Sequence, residues 1–343
     1  MKKNSQQLPP SQQAANEEDQ APVDPNDKSK PIVVETDVKK MGCWGKIQNQ
    51  EIPHVLITPT FRCAVLCYIV LIALFGGFGA LCLVSAMGNN DMLIRYDDQC
   101  NGLKNCRIEF TPTQDLTNPK IYYQLENFYA NHRNFVKSRS YKQLRGNLLS
   151  ASDIGTQCDP VLRVGDLGDK TTKVSLGGTT LRSDDVAFPC GLIAKYFFND
   201  TYVMADEDNN KPVEIDETNI AHSVDRDYKF KLPEGVDNPL QRSWLDITNE
   251  HVMVWYQMES FPTFIKLWGH IWTTLKAGTK YSIQISNKFE VSQFDGKKYI
   301  YLSEVNSLGG TNKFLGIAFL AMAGIVFFVF LVFIVLYFTK IHG

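Results

Sequence analysis

The sequence predicts a membrane protein of two transmembrane α-helices plus a mainly antiparallel β-sandwich ectodomain with short helices. Three observations carry that prediction. Two long apolar blocks without charge lie toward the chain ends, the polar middle holds an even set of four cysteines, and apolar residues in that middle alternate with period two.

The first block runs from Cys63 to Met87 and the second from Phe314 to Phe338. Each extends for roughly 25 residues, and a bilayer core needs about 20 at a helical rise of about 1.5 Å per residue. From Ile317 to Leu336 the second block has no polar residue at all. A buried helix of a soluble domain rarely runs so long without a polar face. The slightly negative mean hydropathy of the whole chain hides both blocks, because a polar tail and a polar middle offset them.

Orientation follows from charge. Lys39, Lys40, Lys46 and Arg62 precede the first block, whereas Asp91, Asp97 and Asp98 follow it with Arg95 among them. Lys313 stands just before the second block and Lys340 just after it. The excess of cations at the two outer ends places both termini in the cytosol. Residues 1–30 contain no apolar run, so the first span is expected to act as an uncleaved signal-anchor. The expected divisions are a cytosolic tail over 1–61, with 1–30 disordered on its polar composition, and a first span over 62–87. A lumenal or extracellular ectodomain over 88–313, a second span over 314–338 and a short cytosolic tail over 339–343 complete them.

Cysteine usage agrees with this topology. Cys43, Cys63, Cys67 and Cys82 fall on the cytosolic side or within the first span, while Cys100, Cys106, Cys158 and Cys190 fall in the ectodomain, where an even set suits an oxidising compartment. Cys43, beside Trp44, is a juxtamembrane thiol open to palmitoylation. The Cys63 and Cys67 spacing would suit a metal pair, but an apolar helix without His or carboxylate makes them packing residues. Asn199-Asp200-Thr201 is an N-glycosylation sequon in the same ectodomain segment. The formal charge of −2 gives no basic surface for nucleic acid.

Within the ectodomain, Ile121, Tyr123 and Leu125 alternate with Tyr122 and Gln124 as a strand. Asn127 is expected to cap a short helix over Phe128–Lys137. Val252, Val254 and Tyr256 suggest a second strand, Tyr281, Ile283 and Ile285 a third, and Tyr299–Leu302 a fourth. Pro262 is expected to start a helical turn through Phe264 and Leu267. The Gly-rich stretch from Gly155 to Asp185 and the acidic loop from Ala205 to Glu217 read as surface excursions. Strands separated by Gly and Asn turns favour the sandwich.

Catalytic chemistry finds little here. The chain has no phosphate-binding Gly-rich loop, no zinc-ligand His pair, no Gly-x-Ser-x-Gly elbow and no Cys-x-x-Cys redox pair in the ectodomain. Asp184-Asp185 and the acidic loop read as solvated surface, not as a metal site, and His132-Arg133 as a structural or interface pair. No cofactor is expected. Gly76, Gly77 and Gly79 at mid-span expose backbone for close helix packing and form a candidate contact face. A two-span ligand-gated channel subunit is the rival reading, but its second span would have to offer small or polar residues to water, and this one offers none.

The residues also resemble a known family. Asn118-Pro119, Tyr122-Tyr123, Leu125, Asn127-Phe128-Tyr129, Asn131-His132-Arg133, Ser138-Arg139-Ser140, Gln143-Leu144 and Gly146 resemble the hallmark stretch of the cell-division-control-protein-fifty (ligand-effect-modulator) family. Further matches follow in order. They are Pro189-Cys190-Gly191-Leu192-Ile193-Ala194, Phe198-Asn199-Asp200, Trp255, Phe261-Pro262-Thr263-Phe264, Asn287, Phe294 with Gly296-Lys297-Lys298, and Gly309-Gly310 with Asn312. The resemblance runs from about Ile57 to Phe338. The chain departs from the family at Tyr256 and Gln257, where a Met and a basic residue usually follow the Trp.

The resemblance implies a non-catalytic β-subunit of a phospholipid flippase, a type IV P-type ATPase. The two would form a heterodimer among membrane lipids, in which the partner hydrolyses ATP and moves phospholipid to the cytosolic leaflet. The subunit would support folding of the pump, its exit from the endoplasmic reticulum toward Golgi, endosome or plasma membrane, and its transport cycle. Gly76, Gly77, Gly79, Gly309, Gly310 and Asn312 would then belong to the partner interface. Disulfides from Cys100 to Cys106 and from Cys158 to Cys190 are the expected pairing, one of three that four cysteines allow.

Overall fold

The computed structural model describes residues 60–168, 174–233 and 237–342. The readings for residues 1–30, Lys39, Lys40, Lys46 and Cys43 lie outside them. In chain order the elements are α1 (Phe61–Met87), β1 (Asp91–Arg95), β2 (Asn105–Phe110), β3 (Lys120–Glu126), α2 (Arg133–Lys137), α3 (Tyr141–Leu144), α4 (Ala151–Ile154) and α5 (Leu192–Lys195). There follow β4 (Thr201–Asp206), β5 (Lys211–Val213), α6 (Glu250–Tyr256), β6 (Phe264–His270), β7 (Tyr281–Ser286), β8 (Lys297–Ser303) and α7 (Phe314–His342).

Among the described residues, helices α1 and α7 are the two long and apolar enough to cross a membrane. Each begins on a polar cap: Thr60 Oγ1 accepts from the Cys63 N–H at 3.4 Å, and Asn312 Oδ1 accepts from the Phe314 N–H at 2.9 Å. Between them the strands form two antiparallel four-stranded sheets, ordered β1-β8-β3-β6 and β2-β7-β4-β5. Both sheets turn apolar residues into one core. Ile94, Ile121, Leu125 and Ile300 come from the first sheet, and Ile108, Met204, Ile283 and Ile285 from the second. Trp268 of β6 meets Tyr202 of β4 edge-to-face across the layers at 5.0 Å. This is a sandwich with helices at its margins.

The strands expected at Ile121–Leu125, Tyr281–Ile285 and Tyr299–Leu302 are β3, β7 and β8. Five readings need correction. Asn127 caps no helix; it sits at φ 61° and donates Nδ2 to the Phe294 carbonyl at 2.6 Å, while α2 starts only at Arg133. Val252–Tyr256 is helical, not a strand, because Asn249 Oδ1 accepts from His251 N–H at 2.8 Å and all five side chains are buried at once. Phe264–Leu267 belongs to strand β6, whose Phe264, Lys266 and Trp268 all point inward; the buried cation disguised the alternation. The Gly155–Asp185 excursion carries its own small core of Ile154, Val161, Val164, Leu167 and Leu181, covered by Ala187. The acidic loop folds as a hairpin, in which Met204–Asp206 of β4 pairs with Lys211–Val213 of β5.

Candidate partner interface and its supports

The helix pair meets at small residues near Gly79 and Gly316 and packs aromatic rings along its length, Phe75 and Phe78 against Phe319 included. A Cβ at Gly79 would stand 2.9 Å from the Leu320 backbone nitrogen, and one at Gly316 would stand 2.8 Å from that of Leu83. These two glycines therefore let the α1 and α7 backbones meet, as membrane helices lacking a hydrophobic drive between them require. Gly76 lies at the margin of this contact, 4.0 Å from the Ala323 Cβ, and Gly77 faces open space. Toward the chain termini Phe61 stacks on Tyr337 at 3.6 Å, and Tyr68 approaches Phe330 and Phe333 at 5.6 and 5.7 Å. The glycine face read from sequence is thus divided. Gly79 serves this chain's own helix pair, and Gly77 remains outward.

The junction between helices and sandwich is tightly bonded. Asn89 Nδ2 donates to the carbonyls of Gly309 and Gly310 at 3.1 and 3.2 Å, and Asn306 Nδ2 donates to the Ser85 hydroxyl at 2.6 Å and carbonyl at 3.1 Å. Gly309 sits at φ 121°, where a side chain would be strained, and closes a turn with Asn306. Tyr301 Oη donates to Asp91 at 2.9 Å just above. Gly309, Gly310 and Asn312 therefore make the return turn and the cap of α7.

At the far end of β8 the motif residues converge on a buried ion pair. Lys298 Nζ donates to Asp200 Oδ2 at 2.6 Å, to the Phe289 carbonyl at 2.6 Å, and to Asn287 Oδ1. Asp200 has no exposed surface and accepts four bonds. Its Oδ1 takes the N–H groups of Lys288 and Phe289 at 2.6 Å each, and its Oδ2 takes Lys298 and the Tyr96 hydroxyl, the latter at 2.8 Å. The Tyr202 hydroxyl lies 3.0 Å from that of Tyr96 and donates to it, since the single Tyr96 proton is engaged. Burial pulls the Lys298 ammonium below its usual value against the opposing pull of Asp200, and burial first, then Tyr202 and Asp200, push the Tyr96 phenol well up. Every lone pair and proton of the pair is used, the condition under which a buried ion pair holds. Asn287 Nδ2 also donates to the Cys100 and Leu103 carbonyls at 2.9 Å each, so this hub pins the loop closed by the Cys100–Cys106 disulfide. The sequon Asn199 stands exposed one residue from buried Asp200.

The hallmark stretch works the same way. Ser138 Oγ donates to the Cys158 carbonyl at 3.0 Å and accepts from Leu192 N–H at 2.8 Å. Gln143 spans Ala187 and Cys190 through both ends of its amide, at 3.0 Å each. With the Cys158–Cys190 disulfide they fasten the small core to the sandwich. Gly191, at φ 105°, leaves no room for a side chain: a Cβ there would meet the Ser138 carbonyl oxygen at 2.0 Å.

Two motif residues instead face outward. Tyr129 and Phe261 are 58% and 72% exposed, on loops tied together by Asn131 Nδ2 donating to the Ser260 carbonyl at 2.8 Å. Sequence reading placed them within the family motifs but assigned them no interface role. The signal available was a large ring in a turn, where burial cannot explain it. His132 and Arg133 are exposed at the start of α2, and Asp185 pairs locally with Arg182 at 3.3 Å. Among the described residues no cluster of His, Cys, Asp and Glu could hold a metal ion.

The polar groups of the junction, the Asp200–Lys298 hub and the Ser138–Gln143 clamp are engaged in holding the fold. Comparison with known proteins agrees with the motifs. The model of the LEM3 (ligand-effect modulator 3) family / CDC50 family matches residues 24–342. The chain is 33% identical to putative ALA-interacting subunit 4 of Arabidopsis thaliana, over 86% of this chain and 89% of that protein. It is 32% identical to cell cycle control protein 50A of Mus musculus, over 67% of this chain and 68% of that protein. With the phospholipid-transporting ATPase accessory subunit CDC50 of Chaetomium thermophilum it shares 28% identity, over 64% of this chain and 56% of that protein. A match along nearly the whole chain, in a structure that places the motif residues in shared clamps, leads to one assignment: this protein belongs to the LEM3/CDC50 family.

Proposed function

We propose that the chain is the non-catalytic accessory subunit of a phospholipid-transporting P-type ATPase and forms a heterodimer with it. The observation that carries this reading is the family match over residues 24–342, joined to relatives named as an ATPase accessory subunit and as ALA-interacting subunits. The architecture supports it physically. The outer faces of α1 and α7, apolar between Arg62 and Lys340 at their ends, suit contact with lipid and with a neighbouring helix, and Gly77 offers a point of close approach. Exposed Tyr129 and Phe261 are of the ring type that anchors protein interfaces. Both termini lie in the cytosol in this reading, the sandwich is lumenal or extracellular, and Asn199 carries a glycan. The subunit assists folding of the pump, its exit from the endoplasmic reticulum and its transport cycle.

Affinity purification of the full chain in mild detergent, followed by mass spectrometry, tests the reading. A large P-type ATPase is the expected co-purifying protein, and its absence from a cell that expresses one removes the proposal. Gly77→Leu, at a position where an added Cβ meets no neighbouring atom within 4 Å, is expected to lower that recovery without disturbing the helix pair. Recovery equal to wild type would move the contact away from this face.

A further inference from the structure

At the end of the sandwich away from the helices, an open cavity of about 290 Å³ lies between α3, the turn Asp225–Lys229 and the end of α6. Its position follows from register. Lys120 of β3 pairs with Ser303, where β8 turns toward α7, so the chain leaving Glu126 toward Arg139 starts at the opposite end. Phe264 of β6 pairs with Leu125 at that same end, directly after α6. The cavity walls are apolar where Leu144, Phe230, Met253 and Met258 contribute, and its rim carries Tyr141 at 58% exposure. Its size stands at the small end of the roughly 300–1,000 Å³ range of ligand clefts.

The polar groups of this cavity are unbalanced, unlike those of the Asp200–Lys298 hub. Arg139 has one protein acceptor among the described residues, the Tyr256 carbonyl at a long 3.3 Å, and its Nε finds none. No hydrogen bond or ion pair engages the Arg145 side chain among the described residues. Asp225 is already taken by Lys229 at 2.6 Å. Tyr256 is 5% exposed, and its hydroxyl has no partner among the described residues. A buried hydroxyl without a partner is destabilising. Arg139 also lies over the Tyr141 ring at 4.6 Å, which holds its guanidinium at the wall.

We infer that this cavity is a binding site for a small amphipathic oxyanion, a carboxylate or phosphate monoester carried on an aromatic or short aliphatic body. Guanidinium groups match both anions with paired N–H donors, and two uncompensated ones beside an apolar wall select for charge at one end and carbon at the other. The distance from the helices favours a water-borne ligand over an acyl chain of the bilayer. The Tyr256 hydroxyl and the Arg139 Nε, both without a partner among the described residues, are the polar groups of this wall left for a ligand to serve.

Calorimetric titration of the full chain in mild detergent tests this, with 3-phenylpropionate and phenyl phosphate as probes and 3-phenylpropanol and inorganic phosphate as controls. At least one probe is expected to bind about tenfold or more tightly than both controls. Which probe wins identifies the anion. Arg139→Gln should weaken it about tenfold, and Arg145→Gln and Tyr256→Phe about threefold or more. Tyr256→Phe should leave the unfolding temperature unchanged or raise it, since it deletes the unpartnered hydroxyl. Should Arg139→Gln fail to fold, the other two variants decide. Equal binding of 3-phenylpropanol, equal binding of inorganic phosphate, no binding of either probe, or wild-type affinity in Arg145→Gln and Tyr256→Phe would each overturn the inference.

Discussion

The helix pair and the sandwich solve opposite problems with opposite residues. The α1 and α7 backbones come close at Gly79 and Gly316, and among the described residues no hydrogen bond links one helix to the other. In the sandwich, Asp200 and Lys298 sit fully inside the protein and every one of their polar sites is answered. The difference follows from the solvent. Lipid gives apolar helices no reason to leave it, so contact depends on how near two backbones can come. Water drives apolar side chains inward, and any charge carried along must be paired or it unfolds its surroundings. Removing atoms should therefore break the sandwich, and adding atoms should break the helix pair.

The largest effect is expected from Asp200→Ala, which keeps the Asn199 sequon but strands Lys298 in the core. A loss of about 3–5 kcal/mol, read as a lowered unfolding midpoint and retention in the cell, is the expected outcome. A midpoint within experimental error of wild type would mean the pair carries no stability. Next, replacing Cys158 and Cys190 together by Ala should cost about 2–4 kcal/mol, confined to the small core around Val161 and Leu181. Hydrogen exchange mapping would find protection lost there and kept in β3 and β8. Third, Gly79→Leu should cost about 1–3 kcal/mol in the helix pair, by overpacking against Leu320, while the isolated unfolding transition of the sandwich stays put. Disulfide trapping between α1 and α7 reads the separation; unchanged trapping would refute the close contact.

The smallest effect concerns acid. Asp216 is pulled from its ordinary 3.8 down to about 2, first by the Thr218 hydroxyl, then by the indole N–H of Trp272 and the Thr218 backbone. A carboxylate with a lowered value contributes stability above about pH 4 that is lost as the pH falls through about 2. Asp216→Asn should flatten the slope of the unfolding temperature in that window and lower neutral-pH stability slightly, by the contribution the carboxylate makes there. An identical acid slope in the variant would assign the effect to another group.

What could be read from the sequence depended on how many solvents a segment meets. The spans were legible because one solvent surrounds them: Ile317–Leu336 admits no second reading. β3 was legible because its inner face of Ile121, Tyr123 and Leu125 is apolar and alternates cleanly. α6 was not, because Val252 to Tyr256 is buried on all sides and loses any period; its start signal was Asn249, two residues before His251. β6 was obscured by Lys266, a buried cation held by Glu259 at 2.8 Å that reads in sequence as an outward position. The glycines were legible as contact points but not as to which helix they contact. That information sits in Gly316, a partner 237 positions away from Gly79 in the chain.

The bonded turn of Asn89, Asn306 and Gly309 has a mechanical meaning. β1 starts four residues after α1, and β1 is the hydrogen-bonded neighbour of β8, the last strand before α7. Hydrogen bonds at Ser85 and Gly310 stitch this short gap on both sides. Rocking of the helix pair is therefore expected to carry the sandwich, with Tyr129 and Phe261, along as one piece.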